Sequence, residues 1–353
     1  MRHFLSAALA GLALLAACQS APSQQQPAMS ALPAYQTDKF RLSASPGAAD
    51  GYTATIDEAR FITSIGSFPV PWGHTLTSGW GGSAIGWAVG DDMQAAPDSL
   101  EIRWFSYAED KFYEGHFLLP QQRIHALLKQ GFYNPETKQQ ETYDDLAVCV
   151  VPTGVVVVWL RGANWVLIGR YQGREIQYDY ARHRPHVDRA ADVAETRAAM
   201  PAAIRAEIAA GTVSSKRWDN YLKTYPWKLA FSQPLTLTEF GMGFVNAEDI
   251  NLPLTPDSAA YAQTVLAPSV KPVPKDAMLY VAGAYGRKRL FKVETFDEAE
   301  TMAAFQALHA RHPAEPITLY VDTDERLSKA TLSLRAGAQI IPLPKSRVEV
   351  FDL

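Results

Sequence analysis

The chain has 353 residues, 47% of them hydrophobic, with 15 Tyr, 15 Phe and 8 Trp, two cysteines and a formal net charge of −4. That is ample for a packed core, and the length exceeds the ~100–200 residues usual for one domain, so two domains are expected. So mild a charge implies neither nucleic acid nor an acidic substrate, and two cysteines exclude a disulfide scaffold.

Residues 1–17 open with Met1-Arg2-His3, a short basic stretch, and continue through an uncharged apolar run to Leu15-Ala16-Ala17. The run is shorter than the ~20 residues of a membrane-spanning helix. It has the length and flanks of a secretory signal. It closes in Leu15-Ala16-Ala17-Cys18, which resembles the lipobox of bacterial lipoproteins. Small residues before the cleaved bond admit the peptidase, and the Cys18 thiol accepts the diacylglyceryl group. The resemblance implies a membrane anchor at Cys18, each buried methylene contributing about 0.8 kcal/mol. Gln19, where an Asp would retain such a protein in the inner membrane, implies the outer membrane with the folded part in the periplasm. With Cys18 acylated, Cys149 stands alone and no internal disulfide can form.

Residues 18–50, rich in Ala, Pro, Ser and Gln, are expected to be the lipidated Cys and a flexible tether. A β-rich domain is expected over 51–252. Its strands fall at 52–62, 100–107 and 111–119, the last two around a polar turn. Residues 120–128 read as a short amphipathic helix with Pro120 in its first turn. Strands follow at 146–151, 155–160 and 165–171, where runs of Val suit a strand covered on both faces. Cys149 lies in this region and reads as a buried structural thiol. Helix is expected over 187–210, interrupted by Pro201, with closing strands at 227–231 and 235–244. Pro253, Pro256, Pro268, Pro272 and Pro274 mark 253–275 as a linker. Residues 276–353 then alternate: strands at 278–281, 290–293, 317–321, 338–342 and 348–351, with helices at 296–311 and 324–336. The expected class is α+β: an antiparallel, sandwich-like β-rich domain followed by a small α/β domain.

Three blocks carry a further resemblance. They are Glu101-Ile102-Arg103-Trp104-Phe105-Ser106-Tyr107 with Lys111-Phe112-Tyr113 and Leu119-Pro120; Val151-Pro152-Thr153-Gly154 running on to Trp159-Leu160-Arg161-Gly162; and Tyr225-Pro226-Trp227 with Phe244-Val245-Asn246-Ala247-Glu248. In this order they resemble the bacterial lipoproteins catalogued as domain of unknown function 2931, over roughly 52–252. Thr153 departs from the pattern, where a second Gly in a Pro-Gly-Gly turn is expected. The family supplies no established catalytic residues. Its genes often lie beside type VI secretion phospholipase effectors. The resemblance therefore implies an immunity role, in which the lipoprotein binds and blocks a toxic lipase. It says nothing of the C-terminal α/β part.

Motifs for chemistry are sparse. Gly81-Gly82-Ser83-Ala84-Ile85 approaches a nucleophile elbow, but Ile85 replaces the closing Gly, and a surface loop is the plainer reading. His183 and His186 flank Pro185 and sit among Arg182, Arg184 and Arg189, which would repel a cation. This segment reads as a solvated basic loop, or else as a contact for an anion or headgroup. Asp322-Thr323-Asp324-Glu325 is expected to cap a helix. Gly283-Ala284-Tyr285-Gly286-Arg287-Lys288-Arg289 reads as a hairpin turn. No catalytic residue, metal or cofactor is expected. Trp72, Trp80 and Trp87, threaded with glycines, read either as core filling or as part of a protein-binding face, since Trp is enriched at binding hot spots. The expectation is a non-enzymatic outer-membrane lipoprotein on the periplasmic side that binds a protein, a secreted phospholipase effector being the best-motivated partner. The alternatives are a structural or accessory envelope lipoprotein, and a lipid- or cell-wall-acting hydrolase using Ser83.

Overall fold

The structure, a computed structural model, describes residues 32–77, 79–82, 93–134, 137–253 and 265–353. It begins with α1 (Ala34–Thr37), β1 (Lys39–Arg41), β2 (Ser43–Ala48), β3 (Ala54–Thr63), β4 (Gly66–Pro69), β5 (Thr75–Leu76), β6 (Met93–Ala95), β7 (Ser99–Ser106) and β8 (Lys111–Leu118). Then come α2 (Gln121–Gln130), β9 (Phe132–Asn134), β10 (Gln139–Glu141), β11 (Asp145–Val151), β12 (Val155–Arg161), β13 (Trp165–Gln172) and β14 (Arg174–Ile176). Helices α3 (Tyr180–His183), α4 (Arg189–Ala199), α5 (Ala202–Ala210) and α6 (Lys216–Tyr221) lead to β15 (Thr224–Phe231), β16 (Thr236–Phe244), β17 (Asp249–Pro253) and β18 (Ser269–Pro272). The chain closes with β19 (Pro274–Ala282), β20 (Lys288–Val293), α7 (Glu298–Arg311), β21 (Ile317–Thr323), β22 (Ala330–Ala336), β23 (Gln339–Pro342) and β24 (Glu349–Asp352).

The valine-rich hairpin β11–β12 sits in a nine-stranded sheet of order β2-β11-β12-β13-β17-β16-β19-β20-β24. β2 runs parallel to β11, and the other neighbours are antiparallel. A six-stranded sheet, β14-β8-β7-β3-β4 with β5 on β3, packs against one face of the hairpin. Leu146, Val148, Val150, Val156, Val158 and Leu160 share that core with Ile56, Phe61, Leu100 and Trp104. On the other face, Ala147, Val151, Val157 and Trp159 join Tyr180, Trp218 and Tyr221 from the helical segment. Both faces are therefore apolar, which is why the hairpin lacks the polar alternation of a half-exposed strand. Each fully buried large side chain contributes about 1.5–3 kcal/mol. Trp159 is 0% exposed, and its indole N–H donates to the Asn246 carbonyl at 2.9 Å. Cys149 is buried here, and burial pushes its thiol up to about 12, so it is an inert core residue.

The fold is strand-rich with several antiparallel sheets, as expected, but its partition differs from the sequence reading. The packed chain begins well before residue 51: Leu42, Ala44 and Ala48 are buried beside β11. Nor does 253–275 separate two packed bodies. Ala34–Leu353 forms one compact unit. β15 pairs in parallel with β21 in a five-stranded sheet, β18-β15-β21-β22-β23, and β16 pairs with β19. Prolines 272 and 274 belong to strands: β18 is an edge, where a missing N–H costs no ladder bond, and the Pro272 carbonyl accepts the Trp227 indole N–H at 2.9 Å. The helix expected at 324–336 is a turn followed by β22. Leu332, Leu334 and Ala336 are buried at period 2, which suits a strand, and Gly337 turns at φ 53°. The helix α7 is as expected, capped by Asp297, whose carboxylate accepts the Glu300 N–H at 2.8 Å.

Thr153 explains its own departure from the family pattern. It takes φ 64° and Gly154 takes φ 76°, so both turn residues sit where Gly is favoured. The β-branched Thr is held there by Glu109, whose two carboxylate oxygens accept its N–H at 3.0 and 3.2 Å.

Gly243 of β16 pairs with Asp249 on one side and Asp276 on the other. A Cβ at Gly243 would stand 2.6 Å from a carboxylate oxygen of Asp276. Burial first, and then the Asp276 charge, pushes Asp249 up to about 6. A carboxyl raised on folding binds more protons in the native state, so stability falls as pH rises from about 4 through 6. Asp249→Asn is therefore expected to raise the urea midpoint at pH 7 and to leave it unchanged near pH 3, where both states hold the proton. A lowered midpoint at pH 7 would show that the charge is wanted.

Candidate functional site

The tryptophan–glycine segment divides into an inward and an outward part. Gly79 and Gly81 take φ 86° and 71°, and they bring the backbone against this chain's own residues. A Cβ at Gly79 would lie 2.3 Å from Asp50 Oδ1, and one at Gly81 would lie 2.3 Å from Ala247 Cβ. The clamp turns Trp80 inward: its ring meets Trp159 edge-on at 4.8 Å and its N–H donates to the Val245 carbonyl at 2.9 Å. Trp80 thus fills space at the core margin. Trp72 points the other way and is 53% exposed, the only exposed tryptophan among the described residues. Trp72 and Trp80 line different cavities. Trp87 and Ser83 lie outside the described residues.

Trp72 stands at the rim of a cleft of about 200 Å³ that also takes in Thr55, Asp57, Tyr107, His183 and Arg184. A β-bulge creates its floor. The β3–β7 register shifts between Ile56 and Glu58, leaving Asp57 as the extra residue. Asp57 Oδ2 accepts Arg103 Nε at 2.7 Å, and Oδ1 lies 3.3 Å from His183 Nδ1. Burial alone would push the Asp57 carboxyl up, but the bonds from His183 and Arg103 prevail and hold it below the usual carboxylate range. His183 is not the solvated residue its arginine neighbours imply. Its side chain is 2% exposed, and its ring lies 5.3–5.6 Å from those of Phe112, Tyr180 and Phe105. Arg184 Nη1 bonds both oxygens of Asp192, at 2.6 and 2.7 Å, and Tyr107 and Tyr180 donate their hydroxyls to the same carboxylate. Arg189 holds Asp110 at 2.7 Å.

Other sequence candidates resolve into structural roles. Asp324 caps a turn, its oxygens accepting the Ser328 N–H and hydroxyl, both at 2.6 Å, so no helix is opened there. Residues 283–287 make the β19–β20 connection, as expected of a hairpin turn. Among the described residues no group of three His, Cys, Asp or Glu side chains is placed to hold a metal ion. Thr55 escaped notice in the sequence, and His183 reads there as part of a solvated loop rather than as a buried ring. The aromatic Tyr178 and Tyr180 before His183 were the available sign of its burial. The apolar spacing Ala54, Ile56, Ala59, Phe61, which steps by two, three and two, was the sign of the bulge at Asp57.

The sequence profile of the family described as Protein of unknown function (DUF2931) matches residues 20–234. The chain belongs to this family. No curated protein and no solved structure matches it. The matched stretch starts and ends earlier than the resemblance over 52–252. It holds every residue of the Trp72 cleft and stops just before β16.

The two glycines beside the tryptophans should differ in tolerance. Gly81→Ala meets both the positive φ and a blocking Cβ, whereas Gly73, at φ 79°, has no atom within 4 Å of its added Cβ. Urea denaturation is expected to show a loss of about 2–4 kcal/mol for Gly81→Ala and about 1 kcal/mol for Gly73→Ala. Equal losses would mean that the clamp on Ala247 does not constrain the fold.

Proposed function

We propose that the chain is an outer-membrane lipoprotein, acylated at Cys18 and facing the periplasm, that acts by binding a protein partner rather than by catalysis. The apolar run of residues 4–17 ending in Leu15-Ala16-Ala17-Cys18 supports the anchor. Among the described residues no helix is long and apolar enough to cross a membrane. The observation that carries the binding reading is the exposure of Trp72. One flat side chain that buries a large area with little entropy loss is an efficient anchor for a partner, and Trp and Arg dominate binding hot spots. Arg182 and Arg184 lie beside it. The partner favoured by the family resemblance is a secreted phospholipase effector, which the chain would neutralise.

Two measurements test this reading. Cys18→Ser is expected to lose incorporation of labelled palmitate and to leave the membrane fraction. The wild-type chain is expected to capture a lipase from its own envelope and suppress its hydrolysis of phospholipid, and Trp72→Ala to weaken that complex at least tenfold, about 1.4 kcal/mol. Trp72→Ala binding as tightly as wild type, or a captured lipase remaining fully active, contradicts the proposal.

A further inference from the structure

The cleft under Trp72 holds more hydrogen-bonding capacity than the fold consumes. Thr55 is 6% exposed, and its hydroxyl has no partner among the described residues. His183 is engaged through Nδ1 alone, and its buried Nε2 has no partner either. A buried polar atom without a partner is unfavourable, and two of the six such atoms among the described residues lie beside this one cleft. Arg182 is exposed on the same rim and forms no ion pair among the described residues, whereas Arg103, Arg184 and Arg189 each hold a carboxylate. Arg184 meets Asp192 and the Tyr107 hydroxyl through Nη1, and among the described residues its other guanidinium nitrogens bond no acceptor. The acid lining the cleft, Asp57, already accepts Arg103, which also pairs with Glu58, and has its other oxygen 3.3 Å from His183 Nδ1.

We propose that this cleft binds a phosphate ester, with Arg182 and Arg184 on the phosphoryl oxygens and the organic stem against the Trp72 ring. Guanidinium forks match oxyanion geometry, and charge-assisted bonds of this kind are about twice as strong as neutral ones. A tetrahedral phosphoryl group offers more acceptor positions than a planar carboxylate, enough for two arginines together. A cleft of about 200 Å³ also leaves room beyond the phosphoryl group for a short stem. The site does not depend on protein docking at Trp72. The ester is either a free small molecule or the headgroup of a phospholipid.

Ala34–Leu353 packs as its own unit, so the chain without its first 33 residues serves for the test. Glycerol 3-phosphate is titrated by calorimetry, and sedimentation is measured with phosphatidylcholine vesicles with and without phosphatidylglycerol. Saturable binding is expected to at least one probe, weakened tenfold or more by Arg182→Gln and unchanged by the exposed control Lys345→Gln. Among the described residues the Arg182 side chain makes no hydrogen bond or ion pair, so its replacement should leave the thermal midpoint in place. Binding of glycerol 3-phosphate alone supports a soluble ester, and binding of phosphatidylglycerol vesicles alone supports a headgroup. No saturable binding of either probe, or equal binding by wild type and Arg182→Gln, overturns the proposal.

Discussion

The hairpin β11–β12 is buried on both faces, and the layers packed against it on either side keep it so. One face needs the six-stranded sheet, and the other needs the helical segment from Tyr180 to Tyr221. Trp159, at the centre of the second face, ties the hairpin to the Asn246 carbonyl and, through Trp80, to the turn at Val245. That turn leads directly into β17 and the C-terminal half of the sheet. Apolar burial on this scale is non-directional, but the indole N–H bonds make it specific, because each buried donor left unpaired would cost about 1–3 kcal/mol. The core therefore passes without a break from the family-matched stretch into the residues beyond it.

The Trp72 cleft is a consequence of the same packing. With β3 pressed onto the hairpin, the extra residue at its bulge has to leave the core side, and it carries Asp57 towards α3. The aromatic rings of Phe105, Phe112 and Tyr180 then enclose His183 and fix it against that carboxylate. The arginines on either side of His183 stay towards the surface, where Arg184 is paired with Asp192 and Arg182 is exposed. Buried polar atoms, an exposed tryptophan and an arginine with no ion pair among the described residues thus meet at a place set by the backbone irregularity of β3.

Much of the fold was legible in local patterns. The Val runs of β11 and β12, the capped α7 and the break at Pro201 all follow from propensity and period within short windows. The misreadings share one cause, which is pairing between distant segments. Prolines 253–274 read as a linker because sequence cannot show that β15 is bound to β21 or β16 to β19. Residues 324–336 have apolar positions compatible with either period over so short a span, and the sheet edge offered by β21 decided for strand. The site was legible only in fragments. Trp72 and Trp80 look alike in a Gly-rich context, and only the clamp of Gly79 and Gly81 on Asp50 and Ala247 separates the anchored ring from the exposed one.

If the doubly covered hairpin holds the whole packed chain together, its two halves cannot unfold independently. Native-state hydrogen exchange in low denaturant measures this directly. The amides of Val156 and Val158 in β12 and those of Leu319 and Val321 in β21 are expected to exchange with one common free energy, through global unfolding. Exchange of the β21 amides through a separate, lower-energy opening while β12 stays protected would contradict the account and restore the two-domain reading.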